Sequence, residues 1–322
     1  MKSILEIAAS CNSVGDIDEV IEREGLYRFL VGGALAGQMA AGDVTALKGA
    51  AGQFNSRAVF AIDDTQHTVQ FSEWCGDRTT RTAAMAAVLA RLRKEDAWAS
   101  LRKWRNELYP VYGDASDADN VAVMIERAAS YNFGIRTYGV HVNGIRRSEG
   151  TGAVEGMWVA RRSPNKPTWP GFLDQIAAGG IGDGAGVRES MIKECGEEAG
   201  IPRELAEAGA RLAGTIQYFT RSALGLQPET QYVYDLELPA HFVPEPRDGE
   251  VESFEFLSLD KVLDRVRRGE FKPNCAMCVA DFLVRHGVLT PENEPDYLAI
   301  LDHLHCPLPY SAPTTVSPRS AL

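Results

Sequence analysis

The sequence predicts an α/β protein of two domains, a smaller α+β domain followed by one in which strands and helices alternate. Three observations carry this. The chain has 322 residues, which suits two units of about 100–200 residues better than one. Short β-type apolar runs alternate with segments of helical spacing. A polar segment, Ala115-Ser116-Asp117-Ala118-Asp119-Asn120, reads as a linker between the parts. The expected division is 1–118 for the N-terminal domain, 119–290 for the second domain and 291–322 for a C-terminal extension, disordered in part from about Pro307, where Pro, Ser and Thr accumulate.

The elements follow in order. Residues 1–9 read as an amphipathic helix with Ile4, Leu5 and Ile7 apolar; one Lys and an interrupting Glu6 make a poor signal peptide. Residues 18–24 look helical, and 26–31 are an apolar stretch before Gly32-Gly33. Residues 58–63 and 67–71 form a predicted hairpin around Asp63-Asp64. The clearest helix of the first part spans 82–101, with Met85, Val88, Leu89 and Leu92 at helical spacing. The second part opens with a predicted helix over 121–129. Strands at 138–144 and 157–160 form a hairpin, and an apolar segment runs over 173–178. A glycine-rich loop at 179–186 leads into a helix over 187–199. Strands at 232–238 and 253–259 and helices at 261–268 and 275–285 complete it.

Composition excludes several function classes. Hydrophobic residues are 45% and charged residues 24% of the chain, ordinary for a globular protein with a full core. The net charge of −11 argues against nucleic acid as partner, since such binders carry basic surfaces. An acidic chain that handles phosphates needs bound cations or a local basic patch. No apolar run reaches the roughly 18–20 residues of a membrane span. Six cysteines over this length make no disulfide framework, which points to a reducing compartment, the cytoplasm. Cys275-Ala276-Met277-Cys278 lacks a second pair at zinc-site spacing and reads as helix packing.

The chemistry concentrates in residues 179–201. Glu194, Glu197 and Glu198 stand at i, i+3 and i+4 of the predicted helix, so their carboxylates share a face, while Met191, Ile192, Cys195 and Ala199 turn toward the other side. Acidic faces are commonly just solvated. Here a Gly179-Gly180 loop precedes the helix, an apolar back face supports it and Gly200-Ile201 closes it. Three like charges held together make sense around hard cations, which prefer oxygen ligands and keep waters for phosphates.

This stretch resembles the Nudix family signature, G-x5-E-x7-R-E-U-x-E-E-x-G-U with U bulky and apolar. Gly179 matches the opening Gly, Glu194 the Glu after Arg, Glu197 and Glu198 the pair, and Gly200-Ile201 the end. Ala185 stands where the early Glu is expected, with Glu189 four residues later, and Lys193 stands for Arg, keeping the charge but losing the bidentate fork. Residues 161–171, Leu173-Asp174, Ala178-Gly179-Gly180, 227–231 and 269–275 resemble a thiamine pyrophosphokinase-related Nudix subfamily with an extra N-terminal domain, similar here over about 15–130.

The resemblance implies a Nudix α/β/α sandwich with a mixed sheet after the α+β domain. It also implies metal-dependent hydrolysis of a small diphosphate, with Mg²⁺ as cofactor and Mn²⁺ as the alternative. Thiamine diphosphate and its damaged analogues are the implied substrates, cleaved to the monophosphate and phosphate. The expected metal ligands are Glu194, Glu197 and Glu198, with Glu197 and Glu198 also catalytic. A base for the attacking water is sought in Asp248-Gly249-Glu250-Val251-Glu252. Alternation puts Glu250 and Glu252 on one face, and Glu252 is favoured. Arg161, Arg162 and Lys166 offer charge to phosphate, Gly179 and Gly180 close backbone approach, and Trp169, with Trp158, Tyr218 and Phe219, a stacking surface. ADP-ribose, a dinucleotide or a nucleotide sugar are alternative substrates, and a non-catalytic diphosphate sensor is the alternative of another class. The role of the N-terminal domain, as cleft cover or homodimer contact, stays open.

Overall fold

The computed structural model describes residues 1–49, 52–114, 119–182 and 184–313. Helix α1 (Ile4–Cys11) opens on a capping box: the Ser3 hydroxyl accepts from the Glu6 N–H at 3.0 Å, and the Glu6 carboxylate accepts from the Ser3 N–H at 2.7 Å. After α2 (Ile17–Glu24) come β1 (Tyr27–Val31), β2 (Ala34–Met39), α3 (Ala41–Lys48), the short pair β3 (Gln53–Phe54) and β4 (Arg57–Ala58), then β5 (Phe60–Asp63) and β6 (Thr68–Phe71). Four of these make a sheet in the order β2-β1-β6-β5, with β1 parallel to β6. The β5–β6 hairpin is the one expected, its turn held by the Asp63 carboxylate accepting from the Thr65 and Gln66 N–H groups. Helix α4 (Arg78–Lys94) starts at an Asp77 cap and stops short of residue 101, where a 3-10 turn (Ala99–Lys103) takes over.

Residues 121–126 depart from expectation. They form a strand, β8 (Val121–Glu126), paired antiparallel with β7 (Leu108–Tyr112), not the start of a helix. All six are buried, and alternate β-branched residues (Val121, Val123, Ile125) favour an extended run covered on both faces. The expected linker therefore joins the strands of a hairpin, and the boundary read at 118/119 falls inside it; residues 115–118 lie outside the described residues. The first core continues through Ala122, Val123 and Ile125 to Phe133, in the one-turn helix α5 (Ser130–Phe133), and Ile135.

The second half is a seven-stranded mixed sheet of β9 (Thr137–Arg147), β10 (Val154–Arg162), β11 (Leu173–Asp174), β12 (Ala177–Gly180), β13 (Ala210–Ser222), β14 (Gly225–Glu237) and β15 (Val251–Leu257). β9 and β14 run parallel, and the other pairs antiparallel. Strand alternation splits its side chains between two cores. Val140, Val142, Tyr234 and Leu236 pack with α6 (Val187–Ala199) and α7 (Arg203–Gly209). Ile145, Met157, Val159 and Val233 pack with α8 (Leu259–Arg267), α9 (Pro273–Arg285), α10 (Tyr297–Leu304) and, from the far end of the chain, α1. This is the expected α/β/α sandwich, with α1 belonging to its core. Residues 307–313 differ from the disordered tail expected from about Pro307. They lie against the first half, where the Tyr310 hydroxyl donates to Gln38 Oε1 and the Ser311 N–H to the Leu35 carbonyl. The remainder, 314–322, lies outside the described residues.

Candidate active site

Helix α6 and strand β12 build the acidic side of the site. Met191, Ile192, Cys195 and Ala199 are buried as their spacing required, and Gly200 ends the helix in the left-handed region at φ 64°. Gly179 lies directly on Glu194: an added Cβ would sit 2.2 Å from the Glu194 Cδ. The neighbouring Ala178 N–H donates to Glu198 at 2.9 Å. The strand thus orients Glu198 through its backbone and leaves Glu194 the space beside Gly179. Glu197 is exposed and pairs with Lys193 at 2.7 Å, and the same ammonium reaches Glu194 at 3.4 Å.

The turn before β15 supplies two further carboxylates. One oxygen each from Glu198, Asp248 and Glu250 lies within 4.8 Å of the others. Burial pushes the Glu198 carboxyl well above the ordinary range, and the charges of Asp174, Glu194 and Glu250 add to it against the Ala178 N–H. Burial likewise raises Glu194, with Lys193 pulling the other way. A hard divalent cation relieves such crowding, and a donor set of carboxylate oxygens alone fits Mg²⁺ or Mn²⁺.

Glu252 does not join this group. Arg162 pairs with Val251 and Arg161 with Ser253, so Glu252 is the extra residue of a β-bulge. The bulge breaks the alternation that put Glu250 and Glu252 on one face. Glu252 is exposed, and Glu250 lines the cleft beside the ammonium of Lys166.

The basic candidates separate into two uses. Lys166 lines the cleft. Arg162 also reaches it, but its guanidinium is engaged with Asp174 at 2.7 Å and with the Thr168 and Trp169 carbonyls. Arg161 donates to the Gly171 carbonyl at 2.8 Å and does not line the cleft. Trp169 is 43% exposed, packs edge-on against Phe172 and also lies off the cleft. Trp158 packs on Phe256, and Tyr218 and Phe219 are buried in cores. None of the four aromatic candidates lines the cleft. Gly179 and Gly180 do, although the space an added Cβ would fill is taken by Glu194 at the first and by Tyr109 at the second.

Sequence reasoning missed several groups in this cleft, whose volume is about 300 Å³. Lys272 enters from the segment ahead of α9, beside Asp174 and Arg162. Asp174 is buried, which alone would raise its carboxyl, yet Lys272 and Arg162 hold it at about 2. It accepts from the Cys275 thiol at 2.8 Å. His141, buried beside Gln175 Oε1 at 2.8 Å, is pushed down to about 4 by burial and then by Lys272, so it is neutral near pH 7. The aromatic lining is Tyr109, Tyr131 and Tyr138, two of them from the first half, together with Lys103, Arg105 and Arg127. Lys272 carried one signal, its place in the family-like segment 269–275. The first-half residues carried none.

A family model described as NUDIX domain matches residues 137–275, and one described as Domain of unknown function (DUF4743) matches 3–137. The chain carries a Nudix domain over residues 137–275. The uncharacterized protein YJR142W of Saccharomyces cerevisiae is 37% identical over 262 residues, covering 78% of this chain and 75% of its own length. Nudix hydrolase 20, chloroplastic, of Arabidopsis thaliana is 39% identical over 225 residues, 70% of this chain and 58% of its own. This Nudix protein therefore spans less than two thirds of that plant relative. The solved structure of DR0079 from Deinococcus radiodurans matches with 22% identity and a TM-score of 0.40, over 54% of this chain and 98% of that one. The Nudix domain places the chain among hydrolases of pyrophosphate bonds. Among the described residues, no helix is long and apolar enough to cross a membrane.

Proposed function

We propose that this Nudix protein hydrolyses the diphosphate of a small metabolite with Mg²⁺ or Mn²⁺, and that its substrate is thiamine diphosphate or an oxidised or damaged analogue, cleaved to the monophosphate and phosphate. The observation that carries the reading is the meeting of Glu198, Asp248 and Glu250 in one group, beside a cleft that also holds Lys166 and Lys272. Glu194, Glu197 and Glu198, with Asp248 beside Glu198, are the residues that would hold the metal, which would supply neutralisation of phosphate charge when bound.

The chain's own residues do the rest. β12 keeps Glu194 and Glu198 in place through Gly179 and the Ala178 N–H. Lys166 and Lys272 present ammonium groups to phosphate oxygens. Glu250 takes the proton of the attacking water, a part it fills better than the bulged, exposed Glu252. As the water oxygen bonds to one phosphorus the bridging P–O bond opens, and the departing phosphate keeps that electron pair beside a lysine.

The thiamine-type assignment rests on the subfamily resemblance and on a cleft walled by tyrosines, which suits a flat ring. The proposed compartment is the cytoplasm, in keeping with six free cysteines. The test is hydrolysis by the purified protein with Mg²⁺, read as phosphate release from thiamine diphosphate, oxothiamine diphosphate and oxythiamine diphosphate and as AMP release from ADP-ribose and NADH. Release from the thiamine compounds, leaving the monophosphate, is expected. Cleavage of ADP-ribose or NADH alone would move the protein to a dinucleotide-type activity. Silence across the panel, with Mn²⁺ tried as well, would favour a non-catalytic diphosphate sensor.

A further inference from the structure

The Nudix half has glycine at three points where the first half presses against it. A Cβ on Gly180 would lie 2.2 Å from the Tyr109 hydroxyl, one on Gly182 3.3 Å from a Glu107 carboxylate oxygen, and one on Gly225 2.3 Å from the Tyr131 carbonyl oxygen. Two of these points precede α6 and the third is at the β13–β14 hairpin, so the first half is fitted to the cleft from both sides. Arg127 ties its wall together, pairing with Glu107 at 2.8 Å and lying 5.4 Å from the centre of the Tyr109 ring. From β14 comes Glu229, whose carboxylate accepts from the Tyr218 hydroxyl and, at 2.9 Å, from the Gln231 amide. Glu229 and the phenols of Tyr109 and Tyr131 are close enough to influence one another electrostatically, and all three line the cleft.

With the phosphate end accounted for by the α6 carboxylates, Lys166 and Lys272, this wall is left for the other end of the substrate. We propose that the N-terminal domain is the recognition half of the active site: Tyr109 and Tyr131, with Glu229 opposite, hold the organic group attached to the diphosphate. The class that fits is a flat heterocycle carrying N–H donors, since phenol rings stack on flat rings and a carboxylate accepts from donors, while Lys103, Arg105 and Arg127 stand on the same wall. The inference rests on the diphosphate-hydrolase reading and gives the domain of unknown function a direct part in it.

Two measurements test it on the full chain. The first compares kcat/KM for thiamine diphosphate with that for methyl diphosphate, which has the diphosphate but no ring, in wild type, Tyr131→Leu, Tyr131→Ala and Glu229→Gln. The preference for the ring-bearing substrate should fall by about tenfold in the variants, chiefly through KM. Equal losses on both substrates would make these residues structural and overturn the proposal. The second is calorimetric binding of thiamine monophosphate without metal, which needs no turnover. Wild-type binding weakened about tenfold in Tyr131→Leu supports the proposal even if no diphosphate is cleaved. Binding that is absent from wild type, or unchanged in the variants, sinks it. Wild type that binds the monophosphate but cleaves nothing overturns the hydrolase reading alone.

Discussion

The two walls of the cleft are built on different principles. On the Nudix wall, Glu194, Glu197 and Glu198 fall within five consecutive positions of one helix, and the neighbouring strand holds Glu198 by a backbone N–H and leaves room for Glu194 at Gly179. On the opposite wall, Tyr109, Arg127 and Tyr131 come from β7, the 3-10 turn after β8 and α5, with nothing periodic to unite them. The first wall is a local device that any sequence with the right spacing can carry. The second exists only because two domains meet. The comparison teaches that the helix carboxylates are encoded locally, whereas the base, the phosphate lysines and the surface facing the remainder of the substrate are assembled over long range.

The strongest way to break the first wall is to remove its buried anchor. Asp174→Ala leaves the Arg162 guanidinium without its carboxylate partner, and such losses cost about 3–5 kcal/mol; chemical unfolding should show it. The same carboxyl gives a pH signature. Held at about 2 in the fold and near the ordinary carboxylate range when unfolded, it contributes stability that is present above that ordinary range and lost as pH falls through about 2. Wild type should lose this contribution on acidification and Asp174→Asn should not.

Chemistry comes next. Glu198→Gln should lower kcat on the order of 10²–10³-fold with the unfolding midpoint retained, and Glu250→Gln about 10²-fold with a shifted pH–rate profile. Glu252→Gln should change little. A Glu252→Gln loss as deep as that of Glu250→Gln would reverse the assignment of the base.

Smaller effects probe the junction and the metal. Gly180→Ala pushes against the Tyr109 hydroxyl and should raise KM several-fold with kcat nearly kept, a loss of roughly 1 kcal/mol of binding. A fall in kcat alone would show that Gly180 serves the Nudix wall instead. Glu198 is raised by burial, so its contribution to stability is full below the unfolded carboxylate range and is lost as pH rises through its higher folded value. A bound cation offsets the charge that then appears. Added Mg²⁺ should therefore raise Tm more at pH 8 than at pH 5.5, and an equal rise at both would argue against Glu198 as a ligand.

The sequence by itself determined the α6 face, its apolar back, the closing Gly200 and the α/β alternation, because helix and strand periodicities are local and the family-like spacing is written in consecutive residues. It misjudged 121–126, where burial by distant elements turned an apolar run into a strand. It also favoured Glu252, because a bulge is a property of two paired strands and cannot be seen in one. Tertiary structure alone decided that Glu250 and Lys272 reach the cleft, that Arg162 is held by Asp174, and that Tyr109 and Tyr131 complete the wall. These depend on which segments pack together, and contacts between residues far apart in sequence leave no spacing to read.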